Sequence, residues 1–95
     1  MERIYSEAIE KWGIESQIDM FIEEVSEAIV ALQHFKRGRC DAEKVCEELA
    51  DVEIMSAQMR IIFSAEMIEK AKASKLKRLI KRVDGAMPWK KDTNG

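Results

Sequence analysis

The segment from Asp41 to Phe63 constrains the fold most, because it predicts a helix with apolar residues on two opposite sides. At about 100° per residue, one stripe contains Val45, Leu49, Val52, Met59 and Phe63, and the other contains Cys46, Ala50, Ile54, Ala57 and Ile61. A helix that is apolar nearly all round is buried on both sides. Four short helices cannot easily cover both stripes, so we expect a second copy of the chain to supply the missing surface.

Capping and helix-breaking residues divide the 95-residue chain into four predicted helices. Gly38 stops the second predicted helix, and Asp41 and Ser64 are suited to cap the third and the fourth. The four predicted helices cover roughly residues 3–11, 14–36, 42–63 and 65–83. We therefore expect one all-α domain over residues 1–95, a four-helix bundle, with residues 89–95 as a flexible tail.

Composition excludes several classes of protein. Apolar residues make up 46% of the chain and charged residues 36%, with one proline, which is typical of a helical protein. The formal net charge of −2 gives no basic field for nucleic acid or membranes. Two cysteines, Cys40 and Cys46, lack the spacing of a zinc site or a disulfide framework. Without a signal or membrane-spanning pattern, we expect a cytoplasmic protein with no membrane or nucleic-acid partner.

Two acidic segments lie on the two long central helices. They are Glu23-Glu24-Val25-Ser26-Glu27 and Glu47-Glu48-Leu49-Ala50-Asp51. Each holds two carboxylates three residues apart, which places them on one face of a helix. A short turn makes consecutive helices antiparallel neighbours, so the two pairs are expected to face each other. Four crowded anions repel one another unless a cation lies among them.

Helical positions separate four of these carboxylates from the others. Glu24 and Glu27 fall on a flank beside the apolar stripe of the second helix, and Glu48 and Asp51 fall at the edge of a stripe on the third. Either pair alone would more often be an ordinary solvated helix face. Because an unpaired carboxylate against apolar surface is costly, the four together are candidate metal ligands.

The ligand atoms narrow the choice of metal. Oxygen-only ligands favour hard cations such as Mg²⁺, with Mn²⁺ as a possible substitute. Di-iron bundles use Glu-x-x-His motifs, and the single histidine, His34, does not follow a glutamate at that spacing. Glu23 and Glu47 point elsewhere on their helices and are predicted to be surface residues.

Glu23-Glu24-x-x-Glu27, followed by Glu48-x-x-Asp51, resembles the EExxE…ExxD signature of MazG-like all-α nucleoside triphosphate pyrophosphohydrolases. The resemblance covers roughly residues 12–63. It implies a helical bundle assembled as a homodimer or homotetramer. It also implies Mg²⁺-dependent cleavage of a nucleoside triphosphate into the monophosphate and pyrophosphate, in nucleotide house-cleaning or pool control. The metal and catalytic residues that it implies are Glu24, Glu27, Glu48 and Asp51.

Substrate contacts are less specified by the sequence. Lys75 and Arg78 lie three residues apart on the basic fourth helix and are candidate phosphate contacts. Many family members carry an asparagine after a lysine in this region, whereas Leu79 stands here. Trp12 is a candidate for stacking on the base, or else a hydrophobic plug at the helix junction. Gln17 lies on the carboxylate flank and could reach substrate.

Two other functions stay open at this point. The doubly apolar third helix also fits a non-catalytic oligomerisation or adaptor module. The basic fourth helix would suit a small DNA-binding regulator, but the near-neutral charge and the absence of a helix-turn-helix signature argue against it.

Overall fold

A computed structural model describes residues 1–85 of the chain, and every regular element in that range is a helix. The four helices are α1 (Glu2–Trp12), α2 (Ile14–Lys36), α3 (Ala42–Phe63) and α4 (Ala65–Gly85). No strand occurs within residues 1–85. The all-helical prediction is confirmed, with each boundary within two residues of the predicted one. The predicted tail, residues 89–95, lies outside the described range.

The chain divides into two compact units. The first, Met1–Ser64, contains α1, α2 and α3, and the described part of the second is α4. Within the first unit, α2 and α3 form the most extensive helix pair, and α1 packs against both. On α4 every lysine and arginine is exposed.

The turn between α2 and α3 depends on a glycine and an aspartate. Gly38 has φ of 72°, in the left-handed region that glycine adopts without a Cβ penalty. The backbone N–H of Arg39 donates to the carbonyl of His34 at 2.8 Å and closes the turn. Asp41 caps α3, because its carboxylate accepts from the backbone N–H of Lys44 at 3.0 Å. The chain therefore reverses between residues 36 and 42.

Side-chain partners show that α2 and α3 run antiparallel. Residues early in α2 meet residues late in α3: the Gln17 amide donates to Gln58 at 2.5 Å. Near the turn, the Cys40 thiol donates to the carbonyl of Ala31 at 3.4 Å. Between these two levels lie the acidic residues of both helices. The predicted antiparallel pairing of the acidic segments is therefore what the structure shows.

The buried residues are small or polar on α2, and they include two methionines on α3. The buried residues of the described chain are Gln17, Ala28, Ala31, Glu48, Met55, Gln58 and Met59. None of those on α2 belongs to its apolar stripe (Ile18, Phe21, Ile22, Val25, Ile29 and Leu32). Gln17, on the flank that carries Glu24, meets α3 through Gln58.

The apolar stripe of α2 is left largely uncovered within one chain. Ile22 is 58% exposed and Ile29 51% exposed. On α3, Ile54 and Ile61 of the second predicted stripe are exposed as well. Within the first unit, α3 is therefore not covered on both sides.

Candidate metal centre

The carboxylates of the two acidic segments meet in cross-helix pairs. Glu24 on α2 lies beside Asp51 on α3, close enough for a hydrogen bond when one of them is protonated. Glu27, one turn further along α2, stands in the same relation to Glu48. The two helices thus bring together the four carboxylates that the sequence had separated from Glu23 and Glu47.

Three of the four carboxylates form a tight group. Glu24, Glu27 and Glu48 each offer an oxygen, and these oxygens all lie within 4.8 Å of one another. Oxygen ligands on opposite sides of one Mg²⁺ lie about 4.2 Å apart, since each bond is about 2.1 Å long. A group of this size can enclose one hard cation, and its all-oxygen composition suits Mg²⁺.

Asp51 stands beside this group rather than inside it. Its charge and its hydrogen-bonding position both act on Glu24, and its side chain is exposed to solvent. Asp51 is thus placed to complete a coordination shell or to act on a water molecule next to it. Its assignment as a fourth metal ligand stays a prediction.

Two oxygens in the centre are buried without a partner. Glu48 is only 8% exposed, and its Oε2, like the Oε2 of Glu24, is fully covered and has no hydrogen-bond partner among residues 1–85. Buried polar atoms are nearly always satisfied, so each exception calls for an explanation. A divalent cation among these carboxylates would satisfy both atoms at once. Glu27 and Asp51 are exposed, which leaves a solvent-facing side for a ligand.

Desolvation and the crowding of the carboxylates raise the pKa of two of them. Desolvation, then the neighbouring charges of Glu27 and Asp51, raises the pKa of Glu24 above its usual value of 4.5. Desolvation, then the charge of Glu48, raises the pKa of Glu27 in the same way. A carboxylate with a raised folded-state pKa adds stability below its usual pKa, and this contribution is lost as the pH rises through the raised value. The metal-free centre is therefore a destabilising element at neutral pH.

Because the pKa values of Glu24 and Glu27 are raised, metal binding is expected to depend on pH. Mg²⁺ needs the deprotonated carboxylates, so its stabilising effect should be largest at neutral pH and should fade as the pH drops through the raised pKa values of Glu24 and Glu27. At a metal concentration about 100-fold above Kd, the expected gain is about 2.7 kcal/mol. Thermal denaturation at matched ionic strength, with and without Mg²⁺, measures it. A pH-independent Mg²⁺ effect would contradict the prediction.

An open cleft of about 550 Å³ adjoins the centre on the side of the α2–α3 turn. Glu27 and Glu48 form part of its wall, so the carboxylate group and the cleft are continuous. The other lining residues are Glu23, Ser26, Val30, Ala31, His34, Cys40 and Lys44. Lys44 Nζ lies 3.0 Å from Glu48 Oε1 in an ion pair. The cleft can therefore receive a ligand that touches the carboxylates at one end.

The four predicted substrate contacts lie on three different helices. Trp12 is 58% exposed among the described residues, with Lys11 Nζ 5.3 Å from its ring centroid. Gln17 is buried at 5% exposure and is engaged with Gln58. Lys75 and Arg78 are exposed on α4, in the second unit. Gln17 thus lies on α2, one of the two helices that carry the carboxylates, whereas Trp12 is the last residue of α1, and neither belongs to the carboxylate group.

Sequence reasoning missed several residues of this region. Lys44 stands four residues before Glu48, a spacing that predicts a helical ion pair and could have identified it. Cys40 and His34 line the cleft because the turn folds back, which no local pattern indicates. Gln58, the partner of Gln17, carries no signal in the sequence.

The described residues include no helix that is long and apolar enough to cross a membrane. No protein-family model matches the chain, and no curated protein or solved structure matches it either. What the centre can do therefore has to follow from its own residues.

Proposed function

We propose that the protein is a Mg²⁺-dependent nucleoside triphosphate pyrophosphohydrolase, which converts a (d)NTP and water into the (d)NMP and pyrophosphate. The observation that carries the proposal is the group of three carboxylates from two helices whose oxygens lie within 4.8 Å, with buried oxygens of Glu24 and Glu48 left unpartnered. The EExxE…ExxD resemblance supports the same chemistry. Nucleotide house-cleaning or pool control in the cytoplasm is the role that we infer.

In this proposal, Glu24, Glu27 and Glu48 hold Mg²⁺, or Mn²⁺ in its place, and Asp51 acts beside them. A bound Mg²⁺ would neutralise charge on the phosphate oxygens and lower the pKa of a coordinated water. The solvent-facing side formed by Glu27 and Asp51 is where the triphosphate approaches. The adjoining cleft gives the substrate a place that is continuous with the carboxylates.

The reaction needs a proton acceptor, and the chain offers one. Water forms a bond to the α-phosphorus, the bond from that phosphorus to the bridging oxygen breaks, and pyrophosphate leaves. The proton of the water passes to Asp51, an exposed carboxylate that stands outside the three proposed to hold Mg²⁺ and is therefore free to accept it.

Assembly and substrate contacts complete the proposal. The uncovered stripe of α2, with Ile22 and Ile29 about half exposed, supports a homodimer or homotetramer that buries it. The exposed ring of Trp12 is available for stacking on a base. Gln17, Lys75 and Arg78 stay predictions as substrate contacts.

Product analysis tests the activity directly. Purified protein would be incubated with Mg²⁺ and a panel of canonical and modified (d)NTPs, and the products would be followed by ³¹P NMR. The expected products are the monophosphate and pyrophosphate from at least one nucleotide. A folded protein that hydrolyses none of them, or that releases the nucleoside diphosphate and inorganic phosphate instead, would refute the proposal.

A non-catalytic oligomerisation or adaptor module is the second candidate, and the exposed isoleucines of α2 and α3 favour it. That function accounts for the apolar faces but gives no role to the crowded carboxylates. It predicts that Mg²⁺ leaves the melting temperature unchanged. The enzyme proposal predicts metal-linked stabilisation, so the response to the metal separates the two.

A further inference from the structure

Lys44 occupies a position between the metal centre and the cleft. Its Nζ lies 3.0 Å from Glu48 Oε1, and its side chain is 53% exposed while that of Glu48 is 11% exposed. The second oxygen of Glu48 is buried and unpartnered. The Lys44 ammonium thus pairs with one oxygen of Glu48, while the other oxygen is enclosed.

Helix energetics do not account for a lysine at this position. Lys44 lies in the first turn of α3, where the helix dipole disfavours positive charge. Its order relative to Glu48, lysine first and glutamate four residues later, is the less favourable order for a helical ion pair. Lys44 is thus held by its neighbouring carboxylates, Glu48 first, rather than by the helix dipole.

The cleft itself is poor in positive charge. Lys44 is the one lysine or arginine among its described lining residues, which also include Glu23 and Glu27. A divalent cation held by Glu48 would neutralise that carboxylate and repel the nearby ammonium. The half-exposed side chain can turn without disturbing α3, because only its backbone N–H is tied to Asp41.

We infer that Lys44 is the counter-ion of Glu48 in the metal-free protein, that a divalent cation displaces it, and that the released ammonium binds a phosphate oxygen of the substrate's polyphosphate chain in the cleft. The inference rests on the proposed function. It gives Lys44 two roles of opposite effect: it competes with the metal, and it attracts the polyphosphate. A lysine that only stabilises α3 would do neither.

Isothermal titration calorimetry of the full chain separates the two roles. With Lys44→Met, Mg²⁺ alone should bind about 2- to 5-fold more tightly, since an ion pair of modest strength no longer competes. Inorganic tripolyphosphate, titrated into Mg²⁺-saturated protein, should bind at least about tenfold more weakly, because a charged hydrogen bond is lost. Lys44→Arg should restore most of the tripolyphosphate binding.

Lys36→Met serves as the matched control, because it removes the same charge from the exposed end of α2 and should change neither affinity. If Lys44→Met leaves both affinities unchanged, or weakens both, while the original protein binds Mg²⁺ and tripolyphosphate, the inference about Lys44 fails and the proposed function stands. If the original protein binds no Mg²⁺, both fail together.

Discussion

Replacing Glu48 with glutamine is expected to reduce Mg²⁺-dependent nucleotide hydrolysis by about hundredfold or more, since a change even in the outer shell of a metal costs 10- to 100-fold. Glu48 is the most enclosed carboxylate of the centre, and it joins the α3 side to Glu24 and Glu27 on α2. Glutamine has nearly the same shape and keeps one oxygen, so the helices should pack as before. The change removes the negative charge that the metal needs. Steady-state kinetics and circular dichroism on the same sample measure both effects.

The matched control is Glu47→Gln, one residue away on α3. Glu47 is exposed and is not part of the carboxylate group, so hydrolysis should stay within about twofold of the original, as for a surface substitution of small effect. Glu48→Gln with full activity would show that the carboxylate group is not the catalytic metal site, even if the protein hydrolyses nucleotides.

Introducing lysine at both Ile22 and Ile29 is expected to dissociate the protein into monomers and to lower its melting temperature. Both side chains are more than half exposed in a single chain, and burying an isoleucine stabilises by about 1.5–3 kcal/mol. Losing two buried isoleucines from an interface therefore costs several kcal/mol. For a domain of this size, each kcal/mol lowers Tm by roughly 4–8 °C. Analytical ultracentrifugation and thermal denaturation measure the two effects.

Ile4→Lys on α1 is the control, because Ile4 is 44% exposed but lies on another helix. It should leave the assembly intact. An unmodified protein that is monomeric at every concentration would contradict the assembly proposed here. An oligomer that survives the double change would place the interface on another face, with the α3 isoleucines as the next surface to test.

The helices could be predicted closely because their boundaries are set by local chemistry. Asp41 caps α3 through the N–H of Lys44, and Gly38 takes the left-handed conformation that ends the turn. Both signals lie within a few residues of the position that they control. The same local geometry places the two acidic segments opposite each other once the turn is short.

The packing partners could not be predicted in this way. Helical periodicity shows which residues of α2 share a face, but not which face meets α3. The helices pack through Gln17, Ala28 and Ala31, since small and polar residues allow close approach and place the carboxylates between the helices. The apolar stripe with Ile22 and Ile29 is left exposed.

The carboxylate group, like the helix boundaries, could be predicted from local sequence, whereas the residues around it could not. Glu24, Glu27 and Glu48 follow from spacing and helical position. The cleft beside Lys44, by contrast, has no local signal in the sequence, because it lies where the turn brings Cys40 back to Ala31. Asp51 shows the limit of spacing alone: it meets Glu24 but stands outside the tightest group of oxygens.

The central claim is that carboxylates of α2 and α3 hold a divalent cation. Anomalous diffraction from crystals soaked with Mn²⁺ tests it most directly, because Mn²⁺ replaces Mg²⁺ at oxygen sites and its position can be identified from its own scattering. The account predicts a peak in contact with oxygens of Glu24, Glu27 and Glu48, and no such peak in Glu48→Gln crystals. Crystals that bind Mn²⁺ only elsewhere, or not at all at millimolar concentration, would contradict it.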